Sequence, residues 1–222
     1  MSSAPLLQVK DLSTHFVTRR GVGRAVDGVS FTLGAGETLG LVGESGCGKS
    51  LTCLSVMRLN PRPASRIVGG QVLFRGEDLL QKSEREMRRY RGRHIAMVLQ
   101  DPMTALNPVF TIGNQLFESL TLHQRLRGRR LRARAIEVMR LVRVPAPESR
   151  LRSYPHEFSG GMRQRTVGAI ALACQPEILI ADEPTTALDA TIQAAYLDLL
   201  RDIQRQSRLA ILFVTQIGRA HV

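Results

Sequence analysis

The sequence is short of cysteine and lysine and has no long apolar run, and each shortage removes a class of protein. Its cysteines, Cys47, Cys53 and Cys174, are odd in number and form no Cys-x-x-Cys pair. A disulfide framework or a zinc site is therefore not expected, and a reducing compartment fits. No apolar stretch approaches the roughly 18 residues of a membrane-crossing helix. The opening "MSSAPLLQVKDLS" has no basic segment followed by an apolar one, so no secretory signal is expected. These absences place the protein in the cytosol unless it docks on a membrane protein. There is no internal repeat, no low-complexity linker and no sustained heptad, which argues against a long coiled coil.

Lysine occurs only at Lys10, Lys49 and Lys82, so the net charge of +12 rests on arginine. Three readings stay open. The charge serves nucleic acid, or it faces anionic lipid head groups, or it reflects drift toward Arg and Ala in a GC-rich genome. The densest cluster, "RLRGRRLRARA" (Arg125 to Ala135), is sparse in aromatics, so a platform for stacking single-stranded bases is not supported there.

What is present reads as one large domain, or one domain with a subdomain, in 222 residues of which 43% are apolar. Leu6–Phe16 and Arg24–Leu33 alternate like half-buried antiparallel strands. "ETLGLVGESGCGKSLTCLSVMRL" reads as a strand, a Gly-rich turn and a helix from about Lys49. "GGQVLFRGEDLL" reads as a turn and strand, and His94–Gln100 as a buried strand. From Asp101 to about Glu157 apolar residues recur at helical spacing. A helix then starts near Ser159, "EILIADEP" forms a buried parallel strand, "TIQAAYLDLLRDIQRQS" a helix, and "AILFVT" a last strand ending at Thr215. The order predicts an α/β core with an inserted helical subdomain. The expected division is 1–100, β strands and the first part of the core; 101–157, the helical subdomain; 158–215, the second part of the core; and 216–222, a non-native tail.

"GESGCGKS", Gly43 to Ser50, has the form G-x-x-x-x-G-K-[ST] between a strand and a helix. Its glycines, Gly43, Gly46 and Gly48, let successive N–H groups of Glu44, Ser45 and Cys47 turn inward on phosphate oxygens, and the helix N-terminus at Lys49, Ser50 and Leu51 adds partial positive charge. Lys49 can reach the β and γ phosphates of a nucleotide and the Ser50 hydroxyl can ligate Mg²⁺. "ILIADE" puts Asp182 and Glu183 at the C-terminal end of a buried strand, where open α/β sheets bind ligands. Asp182 is expected to hold Mg²⁺ and its waters, and Glu183 to orient or deprotonate the attacking water.

A second anion cradle lies in "FSGGMRQR", Phe158 to Arg165, where Ser159, Gly160 and Gly161 precede a helix. One phosphate site needs one cradle, so a second points to a partner's nucleotide. With this motif the chain resembles an ATP-binding cassette (ABC) ATPase, a P-loop NTPase with a RecA-like parallel-sheet core, an N-terminal antiparallel β subdomain and an inserted helical subdomain. The resemblance runs from about Leu6 to Thr215, with the family's signature matched at Ser159, Gly160, Gly161 and Gln164. Gln100 resembles the Q-loop glutamine, a further Mg²⁺ and catalytic contact. Ala187, Leu188 and Asp189 resemble the D-loop, although Asp189 also suits a helix N-cap. Phe16 falls where the family stacks an aromatic on adenine.

"VDGVSFTL", "GESGCGKSLT", "LQDPMTALNP" and "HEFSGGMRQR" are similar to the ATPase subunits of bacterial oligopeptide, dipeptide and nickel importers. The resemblance implies an ATP-hydrolysing, peripheral subunit on the cytoplasmic face of the cell membrane. It would pair head to tail with a second ABC subunit, identical or different, sandwiching two ATP molecules. It would drive integral permease subunits and, through them, serve a solute-binding protein. Two rivals remain: a soluble ABC ATPase acting on nucleic acid, and a nucleotide-binding scaffold that does not hydrolyse, against which Glu183 argues.

The chain closes on "VTQIGRAHV" where the importer pattern resembles "VTHDLG", so Gln216 stands at the expected γ-phosphate histidine. Gln216 to Val222 back-translates, after its first base, to the start of a common sequencing-library adapter. The expectation is therefore a gene fragment broken inside that histidine codon, binding nucleotide but hydrolysing poorly, with an exposed sheet edge. His221 lies too late, and off the strand, to be the switch histidine.

Overall fold

Alternation of apolar and polar residues builds the first sheet. In the structure, a computed structural model that describes residues 4–18, 21–99, 102–186 and 188–216, β1 (Leu7–Thr18) and β2 (Gly21–Leu33) pair antiparallel. β3 (Thr38–Gly43) opens a second sheet and leads into α1 (Lys49–Met57). β4 (Ser65–Phe74) returns to pair with β1, and β5 (Glu77–Asp78) adds a short edge. There follow α2 (Glu84–Tyr90), β6 (Ile95–Val98), and a helical stretch of α3 (Pro102–Ala105), α4 (Ile112–Gln124), α5 (Gly128–Leu141) and α6 (Pro147–Arg150). The described chain ends with α7 (Gly160–Leu172), β7 (Ile178–Asp182), α8 (Ala190–Ser207) and β8 (Ala210–Gln216). The antiparallel sheet has the order β2-β1-β4-β5 and the parallel sheet β3-β8-β7-β6. An N-terminal antiparallel sheet, a parallel sheet and a helical stretch placed between β6 and α7 are the architecture expected from the sequence.

The parallel strands divide the core by their two-residue period. Ile178, Ile180, Leu212 and Val214 face the antiparallel sheet and α1, packing with Leu12, Val56 and Val72. Leu179, Ile211 and Val98 face the other way, onto α7, α8 and the helical stretch. The helical stretch has no core of its own: Leu116, Leu120 and Val138 share one cluster with Leu172, Leu199 and Ile211. In α8 the buried Tyr196, Leu199, Leu200 and Ile203 follow the i, i+3, i+4, i+7 pattern of one helical face. Burying each such side chain stabilises the fold by roughly 1.5–3 kcal/mol.

Several boundaries differ from the sequence expectation. β6 stops at Val98, because its ladder with β7 spans only Ile95–Val98. β4 starts at Ser65, drawn out by pairing with Phe16 of β1. β8 runs one residue past Thr215, because Gln216 pairs with Gly43 at the end of β3. It lies inside the sheet, between β3 and β7, while the exposed edge residues Thr38, Gly40 and Val42 belong to β3. Helix α2 was not anticipated at all. Its signal is a capping box, in which Ser83 accepts from the Glu86 N–H and Glu86 reaches back to the Ser83 N–H.

Candidate nucleotide-binding site

The P-loop spans the gap between β3 and α1. Gly48 sits at φ +93°, and a Cβ there would lie 2.2 Å from the Ala25 carbonyl oxygen, so only glycine fits against β2. No side chain caps the N-terminus of α1, which leaves that end to an anion. Glu44, Ser45, Gly46 and Cys47 are exposed, while Lys49 is 7% exposed. The Lys49 ammonium donates to the carbonyls of Gly43 at 2.9 Å and Glu44 at 2.7 Å. The lysine thus bridges the loop from inside. Gly43 is half-buried, as are Ser50 and Leu51 in the first turn of the helix.

β7 delivers the acidic pair to the same end of the sheet. Ser50 Oγ donates to Asp182 Oδ1 at 3.1 Å. Burial raises the Asp182 pKa above the ordinary carboxylate value; the Ser50 hydrogen bond opposes this, the Glu183 charge adds to it, and Lys49 opposes it less. A buried carboxylate destabilised in its charged form, with a hydroxyl beside it, fits a hard divalent cation that prefers oxygen ligands. Ser50 and Asp182 would hold Mg²⁺. Among the described residues no cluster of three or more His, Cys, Asp or Glu side chains offers a second metal site.

Glu183 is 7% exposed and adopts φ +45°, a left-handed conformation that costs free energy in a residue with a Cβ. Its N–H bonds the Val214 carbonyl at 3.1 Å. One carboxylate oxygen accepts from Thr186 Oγ1 at 3.0 Å and the other from Gln216 Nε2 at 2.8 Å. Sequence reasoning gave Thr186 no role, and set Gln216 at the expected γ-phosphate histidine as the first residue of the tail. No sequence pattern marks either contact, since both depend on the turn after β7 and the register of β8.

The second cradle is built differently. Ser159 caps α7, accepting from the Met162 N–H at 3.4 Å. Ser159 and Gly160 are exposed. A Cβ on Gly161 would lie 2.8 Å from Ile192 Cγ2, so glycine is what lets α7 approach α8. Among the described residues no hydrogen bond joins Ser159–Gly161 to the P-loop. The expected signature glutamine does not share their exposed face: Gln164 is 1% exposed, one turn along α7, beside Tyr196. Burial pushes the Tyr196 phenol up to about 12, and the neighbouring Gln164 amide works against that shift. Asp189 is exposed and caps α8, accepting from the Ile192 N–H at 3.0 Å. Phe16 is half-buried on β1, between Gly23 and Ser65. Gln100, Ala187 and His221 lie outside the described residues.

A family model described as ABC transporter matches residues 26–186, from β2 through the P-loop to the turn after Glu183. The chain belongs to the ABC transporter family. A probable peptide ABC transporter ATP-binding protein, y4tR, of Sinorhizobium fredii is 54% identical over 210 residues, which are 95% of this chain and 63% of that protein. The oligopeptide transport ATP-binding protein OppD of Bacillus subtilis is 50% identical over 95% of this chain and 59% of its own length. The ABC chain thus spans about three fifths of the curated relatives it matches. Among solved structures, the dimeric ATP-binding cassette MJ0796 bound to ADP and Pi superposes with a TM-score of 0.83 at 25% identity, covering 94% of this chain and 87% of that one.

Proposed function

We propose that this ABC chain binds Mg·ATP between its P-loop and Asp182, hydrolyses it as one half of a nucleotide-sandwich dimer, and powers a peptide importer. The 3.1 Å contact between Ser50 and Asp182 carries the reading, because it joins the two motifs at one point between phosphate cradle and acid pair. Mg²⁺, when bound, neutralises charge on the β and γ phosphates. The N-terminus of α1 and Lys49 hold those phosphates, and Lys49 exchanges its loop carbonyls for phosphate oxygens. Glu183 orients the attacking water and accepts its proton. The water oxygen then bonds to the γ phosphorus, while the bridging P–O bond breaks with its electron pair leaving on ADP. Phe16 stacks on adenine. Gln100 adds a further contact to Mg²⁺ and water, and Asp189 lines the dimer contact.

Ser159, Gly160 and Gly161 serve the partner's ATP, because their exposed cradle is separate from the chain's own P-loop. Gln164 supports that cradle from inside α7. The partner is a second ABC subunit, identical or different, and the pair acts on integral permease subunits at the cytoplasmic face of the membrane, with a solute-binding protein served indirectly. The peptide, oligopeptide and dipeptide transport names of the relatives support peptide as the cargo. Among the described residues no helix is long and apolar enough to cross a membrane, consistent with a peripheral position. Nucleic acid as a partner draws no support from relatives that carry transport names.

The test is Glu183→Gln. It keeps ATP binding and lowers turnover at least a hundredfold, because the amide cannot take the proton. Turnover at the unmutated rate would assign the base to another group.

A further inference from the structure

The Glu183 carboxylate is gripped from two elements at once. Thr186 Oγ1 donates to Oε2 at 3.0 Å from the turn that follows β7, and Gln216 Nε2 donates to Oε1 at 2.8 Å from the end of β8. The Thr186 N–H also bonds the Glu183 carbonyl at 3.3 Å, closing the turn that carries the hydroxyl. A glutamate has three side-chain torsions, and its terminal one is broad, so burial alone does not fix which way the carboxylate faces. Here it has somewhere else to go. A cavity of about 220 Å³ lies against it, lined by Glu183, Thr185, Thr186, Leu188, Gln193 and Thr215 among others. That space has room for several waters or for a swung carboxylate.

We propose that Thr186 is a positioning residue for hydrolysis: its hydroxyl fixes the orientation of the Glu183 carboxylate at the edge of this cavity and keeps it aimed at the attacking water. The inference rests on the reading of Glu183 as the proton acceptor. Thr186 need touch neither nucleotide nor water. It acts through the orientation of Glu183, and misplacing a reacting group by an ångström costs up to about a hundredfold in rate. The backbone of Glu183 is already held at φ +45° by its N–H bond to Val214. The side-chain bond from Thr186 completes the placement of a residue whose main chain alone is strained into position.

The experiment compares Thr186→Val, Thr186→Ser and Glu183→Gln in the full chain, with Thr186→Val also made on the Glu183→Gln background. Thr186→Val, which keeps the shape and removes the hydroxyl, lowers kcat about tenfold, while KM and the Kd for Mg·ATP stay within twofold. Thr186→Ser restores kcat to within about twofold. On the Glu183→Gln background, Thr186→Val changes the residual rate by less than twofold, as expected when two residues act through one group. The inference is overturned by an unmutated kcat in Thr186→Val, by failure of serine to rescue, or by the same tenfold loss on both backgrounds. A Glu183→Gln chain turning over at the unmutated rate, or an unmutated chain with no turnover at all, overturns the functional reading itself and this inference with it.

Discussion

Ser50 and Asp182 lie 132 positions apart in sequence and 3.1 Å apart in space. Two segments that each look like a local turn are thus brought together by the parallel order in which β8 lies between β3 and β7. The pairing only partly eases the charged form of Asp182. Its carboxylate is buried, it neighbours Glu183, and the Ser50 hydroxyl and the Lys49 charge only partly compensate.

Asp182→Asn is therefore expected to stabilise the metal-free chain and to destroy its response to Mg·ATP. The folded-state pKa of Asp182 lies above its ordinary value, so the ionised form is the costly one. The stability it contributes is fully present below the ordinary carboxylate range and is lost as pH rises through the raised value. At neutral pH the asparagine, which keeps an acceptor for Ser50, should raise Tm, by roughly 2–4 °C for each 1 kcal/mol of cost relieved in a domain of this size. Thermal unfolding with and without Mg·ATP measures both effects. A lower Tm in the metal-free variant would contradict the assignment.

The three thiols should separate by reactivity. Cys47 is exposed in the phosphate loop, 3.7 Å from the Lys49 ammonium. Cys53 is buried, and burial followed by the Asp182 charge pushes its thiol well up. Burial likewise raises the Cys174 thiol, against weaker opposing effects of Ser119 and Arg134. A maleimide should label Cys47 alone in the folded chain, because the thiolate is the reacting form, and Mg·ATP should slow that labelling at least tenfold. Peptide mapping by mass spectrometry reads the result. Labelling of Cys47 at the same rate with saturating nucleotide would place ATP elsewhere.

The fold was legible wherever local pattern and burial agree. "ILIAD" reads as a central strand because all of its residues are buried, and the Ser159 and Asp189 caps sit where their side chains are best used, directly before a helix. The Gly43–Ser50 loop and the Asp182–Glu183 pair could be singled out because each follows a strand with a fixed spacing of residue types, and the structure brings them to one end of the sheet. The Glu183–Thr186–Gln216 contacts were not, since they arise from strand register that no single segment encodes. The burial of Gln164 was not legible for a related reason: motif spacing says which residues follow the cradle, but the 3.6-residue turn of α7 rotates this one into the core. Helix α2 was written in its Ser83–Glu86 capping box and overlooked because it is short and largely exposed.

Ser159→Arg should leave ATP binding to the isolated chain unchanged within about twofold and abolish hydrolysis. The arginine would fill a cradle that serves the partner's nucleotide, so the defect belongs to the dimer. Equilibrium binding and turnover measured on the same preparation check this. A large loss of binding in the isolated chain would mean that Ser159 serves its own nucleotide.

The most direct test of the account is a calorimetric titration of Mg·ATP into the chain and into Lys49→Ala. Lys49 bridges the carbonyls of Gly43 and Glu44 at the centre of the loop. Removing a charged donor to phosphate costs about 1.5–3 kcal/mol, or roughly ten- to a hundredfold in affinity. The account predicts saturable binding at one site per chain, weakened by that factor in Lys49→Ala. Equal affinity in the two proteins would contradict the claim that the loop from Gly43 to Ser50 is the nucleotide site.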